Sequence, residues 1–459
     1  MGSRFPPSTN QKRSQRNLLR ALFTHADLRK RLFATLALVI LFRFLLNVPL
    51  PGITITSNEA YENLGSGNNL YLLVEFIGML SGGSLLTLSV LALGLFPYNA
   101  SSALLTLLMP LLPSFQREVK ENPWTASRIF TRWNLFLAIP IAILESFFLF
   151  FLISPNCQGK FFILENSGTQ SSIILTVTTI SILVAGSFFA VWISELISHY
   201  GIKGQGNAIL VTSNIIAGFS SEIIKLVNSQ LHVGPISFYF VLLLGSILIV
   251  IYLLLGRRNI PVVYFEKKQE FVGLRRGVKF PTPSLPLRLT LGQDGLVGGH
   301  LLIALTVFYM PLLTCSRISW LNNIAYKAIS FFHENNLLLG LITFLVVAMF
   351  TYYYADVAFK NQNYGEGLRK MRGQIPTISS NAVAGRYLHA VNKRITFAPA
   401  VLLATLAIAP WLFGIITSVS ISFLDGEKLI IIVSTIVASY SFIEADLQLH
   451  SYQESLIVG

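Results

Sequence analysis

Ten apolar runs of about twenty residues each constrain the fold of this chain more strongly than any other feature of its sequence. A helix needs roughly 20 apolar residues to cross the hydrocarbon core of a bilayer, where it satisfies its backbone hydrogen bonds within the segment. Only 12% of the residues are charged, whereas an ordinary soluble domain has about 25%. The sequence therefore predicts an all-α membrane protein with ten transmembrane helices. The predicted spans lie at approximately 30–49, 90–113, 129–153, 171–196, 207–227, 236–255, 293–314, 337–358, 396–419 and 429–447.

The distribution of basic residues predicts the orientation of these spans. With both termini on the cytoplasmic or stromal side, 28 of the 34 lysines and arginines fall in inner segments, five fall outside, and Arg43 lies within the first span. Inner loops of membrane proteins carry an excess of Lys and Arg. The net charge of +13 therefore reflects loop placement rather than a nucleic-acid-binding domain, and the asymmetry supports an even number of spans.

The N-terminal segment lacks the pattern of a cleavable secretory signal. It is basic and polar, and the first apolar run is long enough to remain as a membrane anchor. Residues 1–26 contain no Asp or Glu and several Ser and Arg. This composition also resembles a short organellar transit peptide.

The sequence predicts no metal site, cofactor site or enzymatic activity. Cys-x-x-Cys, His-Glu-x-x-His and Gly-x-x-x-x-Gly-Lys patterns are absent, so neither a metal centre nor a nucleotide loop is indicated. Cys157 and Cys315 both fall on the predicted outer side, which leaves a disulfide between them open but unsupported. Asp294 and His300 in the seventh span would suit a proton relay, but Asp294 lies at a span end, which disfavours catalysis or proton coupling.

The ten spans divide into two halves of five. We find no sequence repeat between the halves, but pseudo-symmetric halves are common in transporters, where the substrate path runs along their interface. The predicted segments are a basic N-terminal segment (1–29), the first half (30–227), an outer hinge loop (228–235), the second half (236–447) and an inner tail (448–459).

A half-length apolar segment at residues 71–92 directly precedes the second span. It is too short to cross the bilayer, so it must be re-entrant or interfacial, and backbone at that depth requires surrounding protein or water. Polar residues in the second and fifth spans, Asn99 and Asn207 among them, also suit a hydrated interior. For a single Ser or Asn, an ordinary interhelical hydrogen bond is the simpler explanation.

Two long inner loops, residues 256–292 and 359–395, are basic and contain interleaved aromatic residues. Such loops can bind an acidic or RNA-containing partner. Topology control alone is the alternative, although orientation requires only a few basic residues beside the membrane. The predicted docking residues are Arg257, Arg258, Lys267, Lys268, Arg275, Arg276, Arg369, Lys370 and Arg372.

Several motifs resemble the SecY family in its bacterial and plastid forms. Leu-Phe-Arg-Phe-Leu-Leu-Asn-Val-Pro-Leu-Pro-Gly-Ile at 41–53 is similar to the end of the family's first span. Ser-Gly-Gly-Ser-Leu at 81–85, followed by Ala-Leu-Gly-Leu-Phe-Pro-Tyr-Asn-Ala-Ser-Ser at 92–102, resembles its plug and the start of its second span. Gly-Gln-Gly-Asn at 204–207 is similar to the Gly-Asn-Gly start of its fifth span.

Further motifs continue the resemblance in family order, so that it covers roughly residues 30–456. The stretches 256–269 and 285–290 resemble the basic hairpin before the family's seventh span, and 351–359 with 367–370 resembles the loop after the eighth. The tail motif at 452–456 echoes the end of the family's sequences.

The resemblance implies a clamshell of ten helices in two pseudo-symmetric halves, with a re-entrant plug helix at about 76–89. It implies a channel subunit of a Sec-type translocase that conducts unfolded polypeptides and releases hydrophobic helices sideways into lipid. The exit would be a single lateral gate, with spans two and three on one side and spans seven and eight on the other. The implied partners are a SecE-like subunit, a SecG-like subunit, a SecA-type motor or a ribosome, and the secretory and membrane proteins that are transported. The implied location is a bacterial plasma membrane or a plastid thylakoid or inner membrane. The implied plug residues are Ser81, Gly82, Gly83, Ser84 and Leu85.

The family's pore is sealed by about six mostly aliphatic side chains, and this sequence departs from that pattern. The corresponding ring is smaller and more polar, which predicts a larger sealing role for the plug. A second departure is Ser379, which replaces an arginine that matters for motor engagement in the family and puts coupling to a conventional SecA in doubt. The ring positions are Asn99, Ala103, Asn207, Val211, Gly298 and Ile432.

A secondary transporter of small solutes is the alternative function. Ten spans in two halves with polar residues at midplane suit such a transporter. A half-length segment and two long basic loops do not, because a solute carrier needs neither.

Overall fold

The fold is known from a computed structural model, which describes part of the chain in three dimensions. The described residues are 26–51, 53–54, 89–109, 123–153, 163–164, 171–228, 233–264, 284–288, 320, 323, 327, 336–362, 364, 367–368, 373–375, 378, 381–417 and 426–458.

Helices make up most of the described residues. Because apolar runs of this length can satisfy their backbone polar groups in a bilayer only as helices, the helical content follows from the sequence. The helices are α1 (Ala26–Leu45), α2 (Phe96–Leu108), α3 (Pro123–Ile153), α4 (Ser171–Tyr200), α5 (Gly206–Asn228), α6 (Val233–Leu255), α7 (Asn336–Gln362), α8 (Asn381–Thr417) and α9 (Gly426–Val458).

Six helices in the described part of the chain are long and apolar enough to cross a membrane. Exposed side chains on α6 show the expected outer surface: Phe240, Leu244, Leu248 and Tyr252 recur every four residues and are all exposed. Such a stripe suits contact with lipid rather than water. The membrane-crossing segments are Arg128–Phe147, Thr176–Tyr200, Ser237–Leu255, Gly340–Lys360, Val383–Ala409 and Lys428–Leu447.

One apolar cluster joins both predicted halves of the chain. It contains Phe42 of α1 and Leu210 of α5 from the first half, together with Tyr239 of α6, Leu403 of α8 and Leu429 of α9 from the second half. The packing of these side chains holds the helices in one body, since burial of an apolar side chain contributes about 1.5–3 kcal/mol.

The second predicted span is wrong at its start. Residues 90–95 form successive turns, and helix α2 begins only at Phe96. The N–H groups of Ala92 and Gly94 donate to carbonyls three residues earlier, and Gly94 has a φ of 48°. This left-handed conformation suits glycine and ends any helical path through the run.

The other helices coincide with predicted spans but differ at their ends. Helix α8 begins at Asn381, so the last part of the predicted loop 359–395 is helical, and α9 continues through the predicted tail to Val458. Helix α1 ends at Leu45, four residues before the predicted end of the first span. The seventh predicted span (293–314), the proposed plug and both cysteines lie outside the described residues.

In the described loop segments, short strands pair with one another in antiparallel orientation. Strands β1 (Ile53–Thr54) and β2 (Ile163–Leu164) pair with each other. Strand β3 (Arg257–Pro261) pairs with β5 (Ser284–Arg288), and β4 (Val263–Tyr264) pairs with β6 (Gly373–Gln374).

Candidate pore site and basic platform

The turns before α2 fix the position of Asn99. The N–H of Val90 donates to the carbonyl of Val48, which ties this segment to the end of α1. On the other side, α4 approaches so closely that a Cβ atom at Gly186 would lie 2.0 Å from the carbonyl oxygen of Val90. Pro97 then supplies a preformed helix start. Asn99 therefore occupies the first turn of a helix whose beginning is packed from two sides.

A tight connection between α4 and α5 fixes the position of Asn207. Gly204 has a φ of 72°, and the N–H of Gly206 donates to Oγ of Ser198 at 3.1 Å. A Cβ atom at Gly206 would lie 1.9 Å from the carbonyl oxygen of Ser194. The glycine allows α5 to begin directly against α4, with Asn207 as its second residue.

The two asparagines predicted to line the pore contact each other. Nδ2 of Asn207 donates a hydrogen bond to Oδ1 of Asn99, with 2.7 Å between the two atoms. Oδ1 of Asn207 is buried and has no hydrogen-bond partner within the described part of the chain. An amide pair thus links α2 to α5 and leaves one acceptor unsatisfied.

The remaining predicted ring positions lie in different surroundings. Val211 is buried in the apolar cluster that joins the two halves, and Ile432 of α9 packs against the same cluster. Ala103 lies on α2, four residues after Asn99, and is partly exposed. Gly298 lies outside the described residues. Five of the six positions therefore fall on three helices, α2, α5 and α9, which contact one another through the amide pair and the cluster.

Two hydrogen bonds between helices accompany the amide pair. Nη1 of Arg43 on α1 donates to Oδ1 of Asn214 on α5 at 2.9 Å. Oγ1 of Thr212 on α5 donates to Oγ1 of Thr435 on α9 at 3.0 Å, and the Thr435 hydroxyl donates in turn to the carbonyl of Ile431 at 2.6 Å. The second bond connects the two predicted halves. The sequence indicated Arg43, Thr212 and Asn214 only as polar or charged residues within spans, and it did not single out Thr435.

Sequence reasoning missed Glu145 of α3. This side chain is 1% exposed, and neither carboxyl oxygen has a hydrogen-bond partner among the described residues. A carboxyl group inside an apolar run is itself a signal, since ionisable residues in spans are rare and usually functional.

The strand pairs and the adjoining ends of α7 and α8 form a second site, which we call the basic platform. Arg257 lies directly across from Arg288 in the β3–β5 register, and both are exposed. Ile260 and Leu287 are buried on the opposite face. Like charges placed directly opposite each other are destabilising, so stability of the strand pair does not explain this arrangement.

The pairing of β4 with β6 brings together the two loops that were predicted to be docking loops. Buried side chains of both loops, including Val262, Leu368 and Ile375, pack with Leu388 of α8 in one small core. Burial raises the pKa of Tyr364, and the positive charge of Arg288 acts in the opposite direction. The basic platform is therefore one folded unit built from both loops.

An ion-pair cluster joins α7 to α8 beside this platform. Oδ1 of Asp356 lies 2.5 Å from Nε2 of His389, and Oδ2 lies 2.7 Å from Nζ of Lys360. The Asn392 side chain reaches the carbonyl of Ala355 at 3.5 Å. Sequence reasoning did not identify this cluster, because Asp356 and His389 are 33 residues apart along the chain.

Several predicted site residues lie outside the described part of the chain. Of the predicted docking residues, the structure describes Arg257 and Arg258, both of which are exposed. Within the described residues, no group of three or more His, Cys, Asp or Glu side chains could hold a metal ion. The positions outside the described residues are Lys267, Lys268, Arg275, Arg276, Arg369, Lys370, Arg372 and the proposed plug residues 81–85.

Comparison with known proteins identifies similar sequences and folds. The family model of SecY matches residues 89–440. The protein translocase subunit SecY of Chlamydia trachomatis serovar D is 28% identical over 456 residues, which cover 95% of this chain and 96% of the relative. The corresponding subunit of Streptomyces galbus is 29% identical over 446 residues, with 94% and 97% covered.

Solved structures show the same fold at low sequence identity. A protein-conducting channel aligns with a TM-score of 0.58 at 13% identity, covering 90% of this chain and 91% of that one. Sec61 in the canine ribosome–channel complex from the endoplasmic reticulum aligns with a TM-score of 0.56 at 13% identity and the same coverage. The two structures support the fold, and the family model extends over most of the chain.

Proposed function

The chain belongs to the SecY family and is a multi-pass channel subunit of a protein translocase, and we propose that it conducts unfolded polypeptides between its two halves. The observation that carries this proposal is the continuous match to the family model from residue 89 to residue 440. That range begins at the turns before α2 and ends within α9. The small-solute transporter receives no support from the family or from the fold.

The physical basis of sorting in this channel is partitioning. A hydrophobic helix gains a few tenths of a kcal/mol per apolar residue on entering lipid. A polar segment gains nothing there and stays in the aqueous path. We propose that hydrophobic helices leave sideways through one lateral gate, with spans two and three on one side and spans seven and eight on the other.

We propose that the full architecture has ten spans, five in residues 30–227 and five in residues 236–447, joined by an outer hinge loop at 228–235. The N-terminal segment (1–29) and the tail (448–459) would both lie on the cytoplasmic or stromal side. The six helices of the described residues that are long and apolar enough to cross a membrane support this proposal. We further propose that residues 81–85 belong to a plug and that the ring positions form the constriction. The Asn99–Asn207 contact supports a shared position for two of these ring residues.

The basic platform is the proposed docking surface for the partner that drives translocation. Exposed Arg257, Arg258 and Arg288 would attract an acidic protein surface or ribosomal RNA. A SecA-type motor or a ribosome suits this chemistry, with SecE-like and SecG-like subunits completing the channel. Ser379 favours the ribosome over a conventional SecA, and the similar Sec61 structure contains a ribosome.

Reconstitution tests the proposed function directly. The translocase, purified with its associated subunits, is placed in liposomes with a labelled secretory precursor and the driver that co-purifies. We expect the precursor to become protected from added protease, and a precursor with a disrupted signal sequence to remain accessible. Transport of an amino acid or sugar down its gradient, without crosslinks to a translocating polypeptide, would overturn the proposal.

A further inference from the structure

We propose that Glu145 is a proton-binding site within α3, which holds a proton while the helix is packed and releases it to water when the part of α3 after Pro140 separates from its neighbours. Glu145 is not one of the predicted pore-ring positions, and its assignment does not depend on the proposed function. Only the consequence for the lateral gate, given below, rests on that function.

The side chain of Glu145 lies on the packed face of α3. Asn134, Ala138, Ala142 and Glu145 are all buried and recur at intervals of three or four residues, so they share one face of the helix. On that face, the Asn134 side chain contacts the Ser101 hydroxyl of α2. The carboxyl group is therefore turned away from the exposed apolar face of the helix. That face includes Phe136, Ile139, Ile143 and Phe147.

Neither carboxyl oxygen of Glu145 has a hydrogen-bond partner among the described residues, although the side chain is only 1% exposed. The adjacent hydroxyl of Ser146 donates to the carbonyl of Ala142 instead. Apolar residues fill the sequence on both sides, at 135–144 and 147–153. The end of α3 at Ile153 is about 12 Å away along the helix axis, farther than a glutamate side chain extends.

Basic side chains that would neutralise a carboxylate at Glu145 are distant in the described structure. Helices α2 and α4 pack against α3, and neither contains a lysine or an arginine. On α3 itself, Arg128 and Arg132 precede Glu145 by about 20 Å or more along the axis. The titratable side chains of α2 and α4 are Tyr98, Glu195, His199 and Tyr200. The last three are exposed at the far end of α4.

An ionised carboxylate in these surroundings is much less stable than the neutral acid. Removal of an ion from water is costly, and only a nearby opposite charge or several hydrogen bonds offset that cost. Glu145 has neither within the described part of the chain. The packed state therefore favours the carboxylic acid, and a state that admits water to the side chain favours the carboxylate.

Pro140 provides a point at which the second part of α3 can move. It lies inside the helix, one turn and a half before Glu145. Proline has no N–H to donate, and its ring crowds the carbonyl four residues earlier, so helices bend at such positions. When the part after Pro140 moves away from its neighbours, water reaches the carboxyl group. The O–H bond of Glu145 then breaks, water accepts the proton, and the carboxylate remains hydrated.

Proton release makes this movement depend on pH. The packed state holds one proton more than the hydrated state, so a rise in pH favours the hydrated state by up to about tenfold per pH unit. Helix α3 corresponds to the predicted third span, which we place beside the lateral gate. Under the proposed function, the gate should therefore open more readily as the pH rises.

Infrared difference spectroscopy of the purified translocase tests the proton-binding site directly. At neutral pH, the natural protein should show the carbonyl stretch of a protonated carboxylic acid, which shifts in heavy water and is absent from Glu145→Gln. Glu195→Gln, at an exposed position of α4, is the control and should keep the band. Absence of a band that depends on Glu145 would overturn the proposal, because the buried side chain would then be ionised.

Unfolding in mixed detergent micelles measures the link between the proton and the packing. As the pH is raised through the neutral range, the unfolding constant of the natural protein should increase relative to that of Glu145→Gln, by up to about tenfold per pH unit. Glu195→Gln should follow the natural protein. A constant ratio between the natural protein and Glu145→Gln would overturn the proposal.

The consequence for the gate is measured as the integration of a hydrophobic helix by the reconstituted translocase. Integration by the natural protein should accelerate with pH relative to integration by Glu145→Gln. Equal pH profiles would overturn the link between proton release and the gate. Failure of the natural protein to integrate any helix would instead count against the proposed function, and the infrared band would still decide the proton-binding site.

Discussion

Asn207 of α5 donates a hydrogen bond of 2.7 Å to Asn99 of α2, and both residues occupy positions that we predict to belong to a pore ring, which is mostly aliphatic in the family. The bond replaces contact between two apolar side chains with contact between two amides. This contact affects closure of the channel, because an amide holds water where an aliphatic side chain excludes it.

The resting channel should therefore conduct ions more readily than a channel with an aliphatic ring. Replacing both residues, Asn99→Ile with Asn207→Ile, should lower the resting conductance severalfold in planar bilayers, since an apolar constriction favours dewetting. The exposed substitution Thr405→Val on α8 serves as a control and should leave the conductance unchanged. Equal conductance of the natural protein and the double variant would show that the amide pair does not determine the seal.

Gly186→Ala should destabilise the protein strongly, because the new Cβ atom would lie 2.0 Å from the carbonyl oxygen of Val90. We expect a loss of about 1–3 kcal/mol or more in the free energy of unfolding. Gly245→Ala on α6 is the matched control, since its Cβ would meet nothing within 4 Å, and alanine in a helix is favoured by about 0.5–1 kcal/mol. Thermal unfolding in detergent distinguishes them; similar midpoints for the two variants would contradict this packing.

The sequence predicted the helices well because lipid leaves the backbone few alternatives, and α3 to α6 lie close to the predicted runs. It failed at residues 90–95, where the run is apolar throughout and only the packing against α1 and α4 selects turns over helix. Hydropathy reports burial but not backbone conformation in a segment surrounded by protein.

The candidate site was predictable only through residue type and motif order. Asn99 and Asn207 were identified singly as ring positions, whereas their hydrogen bond depends on the depth at which α2 and α5 begin. The pairing of β4 with β6 joins residues more than a hundred positions apart, and no local pattern indicates such a contact. Distances of that kind follow from tertiary packing alone.

Thr435→Val should cost more stability than Thr212→Val, although each variant breaks the same bond between α5 and α9. Thr212 only donates in this chain of hydrogen bonds, so its replacement should cost about 0.6 kcal/mol. Replacing Thr435 leaves the buried Thr212 hydroxyl without its acceptor, which should cost about 1–3 kcal/mol. Thermal unfolding of both single variants and the double variant measures the coupling; equal single losses would contradict the direction of the bond.

Asp356→Ala should loosen the junction of α7 and α8 more than Lys360→Ala does. Asp356 is 14% exposed and contacts His389 as well as Lys360, whereas Lys360 is 56% exposed. A charge-assisted hydrogen bond is worth about 1.5–3 kcal/mol, but an exposed ion pair contributes only about 0–1 kcal/mol. Hydrogen exchange of the α8 amides around His389 provides the measurement. Similar exchange rates in the two variants would show that the His389 contact does not hold the junction.

Charge reversal on the basic platform should weaken docking of the driving partner without unfolding the protein. Arg257 and Arg288 lie opposite each other on the exposed face of the β3–β5 pair, away from buried Leu287. Replacing both with Glu removes two positive charges and adds two negative ones, so we expect a large loss of affinity for the driving partner. The loss should grow as the salt concentration is lowered, because less screening leaves the repulsion between the new carboxylates and an acidic partner stronger. Binding of the co-purifying ribosome or motor to the reconstituted translocase, measured across a salt series, tests this expectation. Arg128→Glu with Arg132→Glu, at two exposed positions of α3, changes the net charge by the same amount and is the control. An equal loss with that double variant would assign the effect to net charge rather than to the platform.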